Sequence, residues 1–92
     1  MIKTAYEYKK RILSKDTELL EKIIKMANPN LNVSNNHDRT IRVEYGNIDI
    51  NSVTDCINNS VDKWIGEKSL PISPYLIYGL FPLNNTTCLI KI

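Results

Sequence analysis

The chain has one histidine, two cysteines, three glycines and no apolar run long enough to cross a bilayer. Each shortage removes a class of function. With His37 as the lone histidine, no Cys–His or Ser–His catalytic pair can form without it. Cys56 and Cys88 make no CxxC pair, and too few Cys and His residues remain for a structural zinc site. They read as two reduced, half-buried thiols of a reducing compartment rather than as a disulfide. Gly46, Gly66 and Gly79 are dispersed, and each has a turn, cap or close-packing explanation, so there is no glycine-rich loop to cradle a phosphate.

The longest weakly polar stretch, Leu70 to Leu83, contains three prolines and is too short to span a membrane as a helix. Met1 and Ile2 are followed by Lys3, Glu7, Lys9, Lys10 and Arg11, which is not the apolar run of a secretory signal. The expectation is a cytoplasmic protein, in which the sequons at Asn32, Asn58, Asn84 and Asn85 carry no weight.

What is present suits one small domain, residues 1–92, with one modest core and marginal stability. Hydrophobic residues make up 42% and charged residues 24%, which argues against wholesale disorder. Asn, Ile and Lys number 11, 13 and 9, against two Ala and three Gly. AT-rich codons encode the first group and GC-rich codons the second. The gene therefore fits an AT-rich genome, such as that of a phage, a mobile element, a low-GC bacterium or some protists.

Thr4 to Glu7 forms the T-x-x-E pattern of a capping box. Ala5, Tyr8 and Ile12 follow at helical spacing, and Leu19, Ile23 and Met26, widened by Leu20, Ile24 and Ala27, continue the stripe. Asp16 would fall on that stripe in one straight helix. A break is therefore expected at Ser14–Asp16, with Ser14 or Asp16 capping a second helix that ends at Asn28-Pro29-Asn30.

Leu31–Val33 reads as a short strand, Ser34–Asp38 as a turn, and Thr40–Tyr45 as a half-buried strand with Ile41, Val43 and Tyr45 on one face. A helix capped by Asn51 or Ser52 presents Val53, Ile57, Val61 and Trp64 to the core and stops at Gly66. Tyr75–Leu80 reads as a strand apolar on both sides, Phe81–Asn85 as a turn, and Thr87–Ile92 as a final strand. The expected fold class is α+β: an antiparallel sheet of three to five strands with two or three helices packed on one face.

No catalytic, metal or cofactor site is expected. His37 sits beside Asp38 in a polar turn, where a solvated residue is the plainer reading than a general base. Asp38, Glu44, Asp49, Asp55 and Asp62 have no metal-ligand register and read as surface carboxylates.

Two surfaces remain. Residues 1–30 hold seven basic and four acidic groups, and Lys9, Lys10, Arg11, Lys15, Lys22 and Lys25, with Arg39 and Arg42, form a candidate nucleic-acid patch. Against it stand a net charge of only +2 and the i, i+4 pairs Glu7–Arg11, Glu18–Lys22 and Glu21–Lys25, which describe a solvated helix face equally well. Tyr75, Tyr78, Leu80 and Phe81 form a candidate protein interface, since so small a chain has few elements to cover both faces of an apolar strand. The alternative is that helices of the same chain cover both faces.

The expected function is a non-enzymatic interaction module, a phage or mobile-element accessory protein acting on a host factor. Nucleic-acid binding through the basic helices is the alternative. A third reading is self-association through a last strand left at the sheet edge.

Overall fold

The computed structural model describes residues 4–92. Met1, Ile2 and Lys3, which enter the reading of the N-terminal stretch, lie outside the described residues, and so does the side chain of Ser14.

Asp16 does split the N-terminal helical region. Helix α1 (Ala5–Lys10) opens on Thr4, whose Oγ1 accepts the Glu7 N–H at 3.2 Å. Helix α2 (Ser14–Ala27) follows after Arg11–Leu13. The break thus falls just ahead of the expected position. Asp16 acts as a cap from inside the first turn of α2, accepting the Leu13 N–H at 2.7 Å. Asn28 is extended and ends α2, as the following proline requires. Leu20, Ile23 and Ile24 are buried. Met26, expected on the stripe, is 79% exposed, and Ala27 at the end of the helix is exposed too.

Strands β1 (Asn32–Asn35) and β2 (Thr40–Glu44) form a hairpin in which Ile41 and Val43 pair with Asn35 and Val33. The turn is held by its own Asx groups: Asn35 Oδ1 accepts the His37 N–H and Asp38 Oδ1 accepts the Thr40 N–H. Ile41, Val43 and Tyr45 are buried, as their alternation predicts.

Helix α3 (Ile50–Glu67) begins two or three residues earlier than expected. Asp49, not Asn51 or Ser52, is its cap and accepts the Asn51 and Ser52 N–H groups at 3.1 and 3.3 Å. A carboxylate there also meets the positive end of the helix. The left-handed stop is likewise not Gly66. It is Ser69 (φ 56°), beyond the helix end. The Leu70 N–H donates to the Ile65 carbonyl and the Ser69 N–H to the Gly66 carbonyl, the double closure of a Schellman ending. Leu70 and Ile65 are both buried, so the apolar contact that accompanies such an ending fixed its position.

The largest departure lies in residues 74–82. Tyr75–Leu80 is not one strand. Pro74, with its fixed φ, starts a helical turn, α4 (Pro74–Ile77), and pairing begins only at β3 (Gly79–Pro82). A short apolar run carries no period that distinguishes the two. Strand β4 (Thr87–Lys91) closes the sheet, with Cys88 and Ile90 buried.

The sheet is four-stranded, fully antiparallel, in the order β1-β2-β4-β3. The last strand is therefore interior, between β2 and β3, and offers no free edge. The pairable edge expected of the last strand is not there. Its inner face supplies Val33, Ile41, Val43, Cys88 and Ile90 to a single core shared with α2 and α3. On the outer face Ser34, Arg42, Leu89 and Phe81 lie in one cross-strand row, and all except the half-buried Leu89 are exposed. The result is a small α+β fold. No helix among the described residues is long and apolar enough to cross a membrane.

Candidate functional site

The four aromatic and aliphatic interface candidates do not share a face. Tyr75 lies on α4 and is 71% exposed, beside Leu76 at 61%. Between α4 and β3, Tyr78 is half-buried, and burial, reinforced by the nearby Tyr75, pushes its phenol above the ordinary value. Leu80 turns inward and packs on the core, so it leaves the candidate surface. Phe81 stands on the outer sheet face, 51% exposed, with its ring laid over Gly79: a Cβ there would meet Phe81 Cε2 at 2.9 Å. Leu83 follows, also exposed.

Helix α1 packs beside α4 and adds Tyr6, an exposed ring not singled out in the sequence. The signal was there: Tyr6 lies off the Ala5–Tyr8–Ile12 stripe. Lys10 Nζ sits 4.4 Å from the centre of that ring, a cation–π contact.

The basic candidates are divided between two helices. Lys9, Lys10 and Arg11 belong to α1 and its end; Lys15, Lys22 and Lys25 belong to α2, which packs against α3 and β1 instead. Of the three expected i, i+4 pairs, Glu21–Lys25 closes at 2.7 Å. Among the described residues Arg42 pairs with Glu44 at 3.5 Å, and Arg39 is half-buried, donating to the Lys9 carbonyl at 2.8 Å. Arg39 thus fastens the β1–β2 turn to α1.

Lys9 shares a cleft with another basic residue. A cleft of about 210 Å³ is lined by Lys9, Tyr78, Gly79, Phe81, Lys91 and Ile92. Lys91 was not among the expected residues, because only the pairing of β4 with β3 (Lys91 opposite Gly79) brings it to α1. A second groove, about 310 Å³, runs between α2 and α3 along Ile23, Met26, Ser60 and Lys63.

His37 is exposed in the β1–β2 turn at φ 60°. Asp55 and Asp62 are exposed on α3. Among the described residues no three His, Cys, Asp or Glu side chains come together as a metal site. Cys56 is half-buried and Cys88 buried, both free, and burial pushes the Cys88 thiol up to about 11. A thiol so raised is protonated at neutral pH and is a poor nucleophile.

No family model matches this chain, and comparison with curated proteins and with solved structures finds no match.

Proposed function

We propose that the protein is a non-enzymatic protein-binding module that uses the surface formed by α1, α4 and the outer face of β3. The observation that carries this reading is α4. Its Ile77 is fully buried, whereas the two residues before it, Tyr75 and Leu76, are 71% and 61% exposed. The turn therefore completes the core with one side chain and turns two large apolar ones to solvent. With Tyr6, Phe81 and Leu83 they give a Tyr-rich apolar surface, the composition of a protein interface. The AT-rich composition supports a phage or mobile-element accessory protein that binds, and inhibits or redirects, a host protein in the host cytoplasm.

The nucleic-acid alternative draws less support. Its six basic residues divide between two helices that pack on different elements, whereas phosphate binding calls for a basic cluster.

The test is a tagged pull-down from host lysate with and without nuclease. A stoichiometric partner that survives nuclease is the expected result. Tyr75→Ala should weaken that complex by about 2 kcal/mol, as central aromatic contacts do, without changing the melting temperature. Recovery of nucleic acid alone, or proteins lost on nuclease treatment, would reject the reading.

A further inference from the structure

Resting on the protein-binding reading, we infer that this surface recognises an acidic, apolar segment of its partner, with a carboxylate seated in the cleft between Lys9 and Lys91 and apolar side chains laid on Phe81 and the Tyr75–Leu76 turn.

Charge carries the first part. From Lys68 to the end of the sequence there is no Asp or Glu. After Lys68, which pairs with Asp16, the connection, α4, β3 and β4 are therefore apolar or neutral with Lys91 as their one charged side chain, while α3 carries Asp55, Asp62 and Glu67. Among the described residues neither Lys9 nor Lys91 is in an ion pair, although both line one cleft. Asp38 feels the charge of Lys91, but its carboxylate is engaged by Thr40 through both hydroxyl and N–H. Two lysines outside the ion pairs of the described residues, lining one cleft with Tyr78 and Phe81, suit a carboxylate whose neighbours are apolar.

The sheet edge sets the mode of docking. The Leu83 N–H donates to the Thr87 carbonyl, so alternation along the hairpin makes Phe81–Leu89 and Gly79–Lys91 the hydrogen-bonded pairs. Leu80 and Pro82 then face the free edge, and Pro82 has no N–H to give. That edge is a poor template for an added strand, so a partner must engage side chains. Aliphatic Leu76 and Leu83 within the surface favour a protein over phosphates, since nucleic-acid interfaces are more polar and far more basic.

The test selects from a displayed library of random short peptides on the full chain, then measures selected peptides by fluorescence anisotropy. Enrichment of Asp or Glu next to Leu, Phe or Trp is expected. Raised salt should weaken binding, and Lys91→Glu and Phe81→Ala should each weaken it about tenfold with the melting temperature unchanged. Lys91 is exposed, so its reversal leaves the core intact even if Lys9→Glu does not. Selected peptides without acidic residues, or affinities untouched by Lys91→Glu, would overturn the inference while a Tyr75-dependent partner kept the protein-binding reading alive. Competition of the peptides by single-stranded oligothymidine at lower concentration would overturn it in favour of phosphate. Neither peptide nor protein captured would sink both.

Discussion

Helix α3 and helix α1 have opposite economies of burial. Six of the eighteen residues of α3 are buried, whereas none of the six in α1 is. The contrast extends to their neighbours. Around α3, Trp64 is fully buried and its Nε1 donates to the Asp16 carbonyl at 2.9 Å, while Asp16 pairs with Lys68 at 2.7 Å. One indole and one carboxylate thus tie α2, α3 and the turn after α3 together. Beside α1 stand Tyr75, Leu76 and Phe81, large apolar side chains held out in solvent. Stability is concentrated in the first region, and the second is free to be a surface.

The strongest way to break that comparison is Trp64→Ala. Truncating a fully buried aromatic costs about 3–5 kcal/mol, and here it also removes the indole hydrogen bond to the Asp16 carbonyl. Against a total of about 5–15 kcal/mol for a domain of ordinary stability, the loss should be visible as a large fall in the urea midpoint followed by circular dichroism. Loss of less than about 1 kcal/mol would mean that the core does not centre on α3.

Where the sequence was legible and where it was not follows the same division. The alternation of Ile41, Val43 and Tyr45 and the Val53–Trp64 stripe mark residues whose burial period is strong, and these are buried where expected; the phase clash at Asp16 marks a real break, which falls at Arg11–Leu13, just ahead of the expected position. The misreadings cluster where period is short or position is set by tertiary contact. Tyr75–Leu80 carried an apolar run without a period, and Pro74 decided it for helix. Gly66 looked like a stop, but the Leu70–Ile65 contact moved the left-handed residue to Ser69. Of the four candidate interface residues, Tyr75 and Phe81 are exposed and Leu80 went to the core. Lys91 could not be found beforehand, because its neighbours come from strand pairing and no local pattern encodes that.

Asp16→Asn tests the junction on the stable side. Burial opposes ionisation of this carboxyl most, but Lys68, the Leu13 N–H and Lys15 together outweigh it and hold it below the ordinary value of 3.8. A folded-state value below the unfolded one gives a contribution that is present above 3.8 and lost as pH falls through the lower folded value. The pair is mostly buried, its side chains 13% and 20% exposed, and Asp16 is also a cap. The substitution should remove about 1 kcal/mol at neutral pH, and the gap to the parent protein should close on acidification below pH 4. A gap that is constant across that window would assign the loss to packing alone.

Ser69→Gly sharpens the boundary between the regions, since Ser69 is where α3 hands over to the connection leading to α4. Its φ of 56° strains an L side chain. Glycine relieves that strain but loses more entropy on folding, so a net gain of about 0.5 kcal/mol is expected. Thermal unfolding should show a small rise in midpoint. A fall would mean that the serine side chain contributes more than the strain it bears.

The smallest stability effect should come from Gly79→Ala, and for that reason it separates the two regions best. Gly79 has no left-handed backbone to lose, so alanine is tolerated by the chain itself. The new methyl meets only the far end of the Phe81 ring, at 2.9 Å from Cε2, and an exposed ring can swing away about its χ1. Stability should change by less than about 0.5 kcal/mol, within the range of ordinary surface substitutions. The outer face changes more: the ring leaves its seat on Gly79, and the wall it gives to the Lys9–Lys91 cleft moves with it. Chemical-shift changes should therefore be confined to Phe81, Tyr78 and Lys91, with the resonances of Trp64 and α3 unmoved. Shifts that spread to Trp64 would show the two regions to be mechanically coupled, and the division drawn between α3 and α1 would fail.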